Sequence, residues 1–97
     1  MPLEAYVPSE VWLGGEPLGD VMVVTLHGPD GDAPHGTLTA ARPPAVGTRA
    51  ALRLVGRREG RVFAVEVDEI EVCQASAVGC EFTVFGQVRR TPVTPET

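Results

Sequence analysis

The chain has 97 residues, 43% hydrophobic and 22% charged, with a net charge of −5. This is the composition of one globular domain, too small for a second core and too apolar for a disordered tract. Apolar stretches such as MVVTL at 22–26 fall far short of the roughly 20 residues of a spanning helix, and no basic segment opens a secretion signal. The acidic balance argues against a general nucleic-acid binder, whose affinity comes from Lys and Arg neutralising phosphates. A cytoplasmic protein without membrane insertion is expected.

Read in chain order, the sequence is punctuated by 11 Gly and 9 Pro, and no useful window keeps a helical apolar spacing free of them. Strand patterns recur instead. They predict strands over residues 7–13, 20–27, 36–40, 49–55, 61–72 and 78–85, each bounded by Gly, Pro or Asp-Gly turn chemistry. In the fourth strand Leu52 and Leu54 oppose Arg49 and Arg53; in the fifth Phe63, Val65 and Val67 oppose Glu66 and Asp68. The parity then reverses at Ile70 and Val72, which predicts a bulge near Asp68 and Glu69. Residues 56–60 read as a hairpin turn and residues 28–32 as the start of a longer loop.

Six short antiparallel strands favour an all-β fold, a small six-stranded barrel without exposed edges. The expected core is Trp12, Leu52, Leu54, Phe63, Val65 and Phe82. The domain is expected to span residues 1–86, with residues 87–97 a solvated, flexible C-terminal tail, because QVRRTPVTPET holds few core residues.

Candidate chemistry is sparse. Ser9, Ser76, His27, His35, Cys73 and Cys80 carry no catalytic signature, so no enzymatic activity is expected. His27, Asp30, Asp32 and His35 fall within nine residues, but their spacing matches no EF-hand or zinc pattern, so neither metal nor other cofactor is expected. Cys73 and Cys80, without a secretion signal, read as reduced thiols flanking a turn. Gly14-Gly15 and the glycines at 28 and 31 precede no helix that could hold a phosphate.

Charge is segregated along the chain. Residues 1–41 contain no Lys or Arg, whereas residues 42–61 contain six Arg against Glu59 alone. Arg57 and Arg58 at a hairpin tip, with Arg49, Arg53 and Arg61 on outward sides of neighbouring strands, form a candidate cationic patch for a carboxylate-rich protein or a phosphate. The alternative is solvated outer-face charge.

The segments GDVMVVTLHG (19–28), VGTRAALRL (46–54), VFAVEV (62–67) and VGCEF (78–82) resemble, in order, the PilZ domain, a six-stranded β-barrel family of bacterial regulators. Family members bind cyclic di-GMP through an RxxxR motif ahead of the barrel and a D/N-x-S-x-x-G motif. Here only Thr25 and Gly28 remain of the second, Val23 replaces its acid, and no Arg precedes Arg42. The resemblance implies a degenerate member that acts through protein contacts, in motility or type IV pilus regulation, without cyclic di-GMP. A protein partner is therefore expected, with self-association open; a receptor for a cyclic dinucleotide or another small ligand with an atypical site is the alternative.

Overall fold

The computed structural model describes residues 3–93. These residues form seven strands: β1 (Leu3–Leu13), β2 (Glu16–Pro17), β3 (Val21–His27), β4 (His35–Ala40), β5 (Arg49–Arg58), β6 (Arg61–Ser76) and β7 (Gly79–Pro92). Every pairing is antiparallel, in the order β2-β1-β3-β4-β7-β6-β5, and β5 pairs back onto β1. Six strands thus close a barrel, and β2 is a short arm folded against the end of β1. No helix long and apolar enough to cross a membrane occurs among the described residues.

Closure depends on β1 serving two neighbours. Its residues 3–6 pair with β3 and residues 7–13 with β5, and the register shifts between Pro8 and Glu10. Proline, which donates no ladder hydrogen bond, fits such a bend. The strand opposite comes very close: a Cβ on Gly56 would lie 3.0 Å from Pro8 Cα and 3.1 Å from the Val7 carbonyl oxygen. Gly56 therefore belongs to β5 as the residue that lets the corner close, not to the turn. The β5–β6 turn is only Glu59-Gly60, both at positive φ (51° and 78°), flanked by the Arg58–Arg61 pair. Positive φ at both central positions matches the right-handed strand twist and makes the shortest hairpin.

The bulge anticipated from the parity change lies between Val67 and Glu69, and returns Ile70 and Val72 to the core. A second shift, between Val72 and Gln74, turns Cys73 outward while Cys80 stays buried. The expected tail is corrected in part: residues 87–92 continue β7, with Val88 opposite Val67 and Pro92 opposite Phe63. Residues 94–97 of that tail lie outside the described residues. Gly86, which reads as a stop in sequence, is a bulge at φ 79°, where Asp68 Oδ2 accepts the Gln87 N–H at 2.9 Å.

Tyr6, Val24, Leu26, Leu38, Leu52, Leu54, Val65, Ile70, Val72 and Phe82 fill the interior. Of the expected core, Leu52, Leu54, Val65 and Phe82 are buried, whereas Trp12 and Phe63 are half-buried near the barrel's ends. Phe82 also packs over Gly36, where an added Cβ would lie 2.3 Å from the Thr25 carbonyl oxygen and 2.6 Å from the Phe82 ring. We predict that Phe82→Ala costs about 3–5 kcal/mol, that Phe63→Ala costs less, and that Gly36→Ala is destabilising because its added methyl meets the Thr25 carbonyl and the Phe82 ring. Urea midpoints of the three variants check this order.

Candidate functional site

Of the five arginines of the expected patch, Arg49, Arg53, Arg57 and Arg61 are exposed, on the outer side of β5 and at the start of β6, and Arg58 departs from them. Strand alternation sends Arg57 outward to solvent and Arg58 inward toward the barrel's end. Arg49 pairs with Glu69 at 2.9 Å and stacks 4.8 Å from the Phe85 ring centroid. Arg53 lies 4.5 Å from the Trp12 centroid, with Glu66 opposite on β6. Arg61 lies 5.8 Å from the Phe63 centroid. Farther along the same outer face Arg89 reaches Asp68 at 2.7 Å and Glu66 at 3.8 Å. On the exterior of β5, β6 and the second half of β7, Arg49 and Arg89 are paired with acids, Arg53 and Arg61 lie over aromatic rings, and Arg57 has neither kind of partner among the described residues.

The barrel's end is closed by charge that the sequence did not flag. Glu4, only 8% exposed, accepts hydrogen bonds from Arg90 Nε at 2.8 Å, Arg90 Nη2 at 2.9 Å and the Tyr6 hydroxyl at 2.7 Å. Arg58 Nη1 approaches the same carboxylate at 3.2 Å, with its guanidinium 5.6 Å from the Tyr6 centroid and 5.2 Å from that of Phe63. Arg90 Nη2 also donates to Asp30 at 2.9 Å, tying down the loop between β3 and β4. Burial works against the Glu4 charge, but the bonds from Arg90 and Tyr6 and the field of both guanidinium groups outweigh it and hold the carboxyl below its ordinary range. Burial, then the bond to Glu4, pushes the Tyr6 hydroxyl in the opposite direction. Glu4 and Arg90 are 86 residues apart, and both lay outside the expected strands, so no local pattern could pair them.

The opposite side of the barrel is different in kind. The outward residues of the first half of β1 are Leu3, Ala5 and Val7; those of β3 are Val23, Thr25 and His27; those of β4 are His35, Thr37 and Thr39. None is charged; the face is flanked by Arg57 on β5, opposite Val7, and by Glu81 on β7, opposite Thr37. This face is ordered by its own polar groups. Thr25 Oγ1 contacts Thr37 Oγ1 and accepts from the Thr37 N–H at 3.2 Å, and it lies 3.2 Å from His27 Nε2. His27 and His35 face each other across the ladder with rings 4.8 Å apart and within 6° of parallel. Of the residues that survive from the ligand motif, Thr25 is committed to this network and Gly28 is buried at φ 53°.

Asp30 points to Arg90, which separates it from the two histidines, and no group of three or more His, Cys, Asp or Glu is placed to hold a metal ion among the described residues. Cys73 and Cys80 are both free thiols on opposite sides of the β6–β7 hairpin, and burial pushes the Cys80 thiol up. Beside the uncharged face an open cleft of about 290 Å³ lies over β4 and the hairpin tip, where Thr37, Thr39, Gln74, Ser76 and Glu81 line it. No protein-family model, curated protein or solved structure matches this chain.

The two hairpin arginines should separate by mutation. Arg58→Glu sets a second carboxylate against Glu4 and lowers stability by about 2–3 kcal/mol, whereas Arg57→Glu leaves the melting temperature unchanged. The Glu4 contribution is complete above the ordinary carboxylate range and is lost as pH falls through its lowered folded value. Glu4→Gln should therefore be less stable than wild type at neutral pH, with the difference shrinking in strong acid. Thermal melts from pH 7 to pH 2 measure it.

Proposed function

We propose that this chain is a non-catalytic binding module that docks a protein partner through the uncharged outer face of β1, β3 and β4. One observation carries the reading: on a chain of net charge −5, the first half of β1 together with β3 and β4 presents no charged side chain outward, while on the other side Arg49 pairs with Glu69 and Arg89 with Asp68. Interface centres are depleted in charge because desolvating an ion costs more than the contact returns. The ordered Thr25–Thr37 hydroxyl pair fixes side chains before a partner arrives, which lowers the entropy cost of docking. The arginine hairpin is a weaker candidate because Arg58 is engaged inside the barrel's end, which leaves Arg57 and Arg61 exposed there.

The PilZ resemblance, which rests on sequence motifs, adds a setting to this proposal: a cytoplasmic regulatory module of bacterial motility or pilus systems, acting without cyclic di-GMP. A second reading, a small-ligand receptor, draws support from the cleft over β4. Glu81 lines that cleft and no arginine does, so its chemistry suits a ligand rich in hydrogen-bond donors better than a phosphodiester. Titration calorimetry that yields saturable heats with cyclic dinucleotides would count against this electrostatic argument.

Ala5 is exposed at the centre of the docking face and opposite Thr25, so an arginine there places charge in the interface without touching the core. We predict that Ala5→Arg abolishes recovery of the partner that wild type captures from native cells, while Arg61→Glu, on the far strand of the hairpin, retains it and both variants melt like wild type. Retention by the first and loss by the second would return the interface to the hairpin.

A further inference from the structure

We propose that the cleft bordering β4 seats an arginine side chain of the docked protein partner, with Glu81 as its counter-ion. The inference rests on the docking-face reading above and adds the partner's chemistry. Two rows of residues cross β4, β7 and β6 side by side on the outer surface. The first is Thr37, Glu81 and Gln74; the second is Thr39, Gly79 and Ser76. Gly79 leaves the centre of the second row empty, and no side chain can stand there, because a Cβ would lie 2.5 Å from the Leu38 carbonyl oxygen. An open hollow of about 290 Å³ results, floored by backbone, with a carboxylate at its edge. The first row continues on the other side through Thr25 to Ala5, so hollow and docking face are one surface.

Glu81 carries the only charge in this lining, and it makes no ion pair among the described residues, in contrast to Glu4, Glu66, Asp68 and Glu69. The hydroxyls of Thr37 and Thr39 and the Gln74 amide oxygen add acceptors beside it, whereas no Lys, Arg or His lines the cleft. Ser76 Oγ is occupied by the hairpin tip itself, donating to the Gly79 carbonyl and accepting from the Val78 N–H, both at 3.4 Å. A guanidinium matches this set: it brings one positive charge and five donors in a plane, and its alkyl stem can lie along the exposed Val78 at the rim. An anionic ligand would meet Glu81 with like charge. The position of the cleft names the source. Thr37 belongs both to it and to the docking face, so a partner that covers β3 and β4 brings its own side chain to the hollow. At the opposite flank Arg57 is also without a partner among the described residues. The face therefore ends in charges of opposite sign, an arrangement that sets the direction and register of a complementary partner.

The probe is Nα-acetyl-arginine amide, titrated into the full chain with amide shifts read by NMR, beside its citrulline counterpart, which keeps the shape and lacks the charge. Saturable shifts are expected at residues 37–39 and 74–81. Binding should weaken about tenfold or more with the citrulline probe and in Glu81→Gln, and vanish in Gln74→Arg, which sets the chain's own guanidinium opposite Glu81. Both variants should melt like wild type and capture less of the partner that wild type recovers from native cells, while Ala5→Arg should still bind the probe. Absence of saturable shifts in the cleft, or shifts as strong with citrulline or in Glu81→Gln, overturns the arginine seat; loss of the partner in Ala5→Arg then leaves the docking face standing. Probe binding that depends on Glu81, with partner capture undiminished in Glu81→Gln, overturns the assignment to the partner and makes the cleft a separate small-ligand site.

Discussion

The structure depends on one buried carboxylate. A barrel closed by main-chain hydrogen bonds still has open ends, and at one end the inward positions of β1, β5 and β7 are taken by Glu4, Arg58 and Arg90 rather than by apolar side chains. The bidentate Arg90–Glu4 pair joins the first strand to the last, and the Asp30 contact extends that bond to the β3–β4 loop. Buried ion pairs contribute little net stability against a well-packed apolar alternative, yet breaking one is costly, so they specify an arrangement more than they strengthen it. Here the arrangement specified is strand register. A slip of one residue would turn Glu4 outward and leave two inward guanidinium groups without their anion.

That end cap also explains the outer surface. Within the arginine-rich stretch Arg58 is consumed inside and Arg49 pairs with Glu69, while Arg53 and Arg61 lie over aromatic rings. The side left for recognition is the one with nothing to neutralise. Its threonines and histidines are fixed by short-range contacts across β3 and β4, and the close approach at Gly36 holds those strands against Phe82 beneath. His27 is placed opposite His35 by the β3–β4 ladder itself.

Alternation and turn chemistry made most of this legible in the sequence. Leu52, Leu54 and Val65 lie inward as their parity required, and the reversal at Ile70 marked a real bulge. Three features were not legible. Val88-Arg89-Arg90 reads as a tail because its inward position holds a charge, which makes sense only beside Glu4, 86 residues away. Arg57 and Arg58 read as one patch because adjacency in sequence was taken as adjacency in space, while a hairpin as short as Glu59-Gly60 keeps both in paired strands that alternate faces. The uncharged face is assembled from three strands whose outward residues look like ordinary alternation until the barrel sets them side by side.

Mapping amide chemical-shift changes on the full chain as the bound state forms with a partner protein tests the central claim most directly. The account predicts that the perturbed amides lie on residues 3–7, β3, β4 and the cleft that borders them, and that those of residues 59–61 are unmoved. Perturbations concentrated on the Arg57–Arg61 hairpin, with the β3–β4 face unchanged, would contradict it.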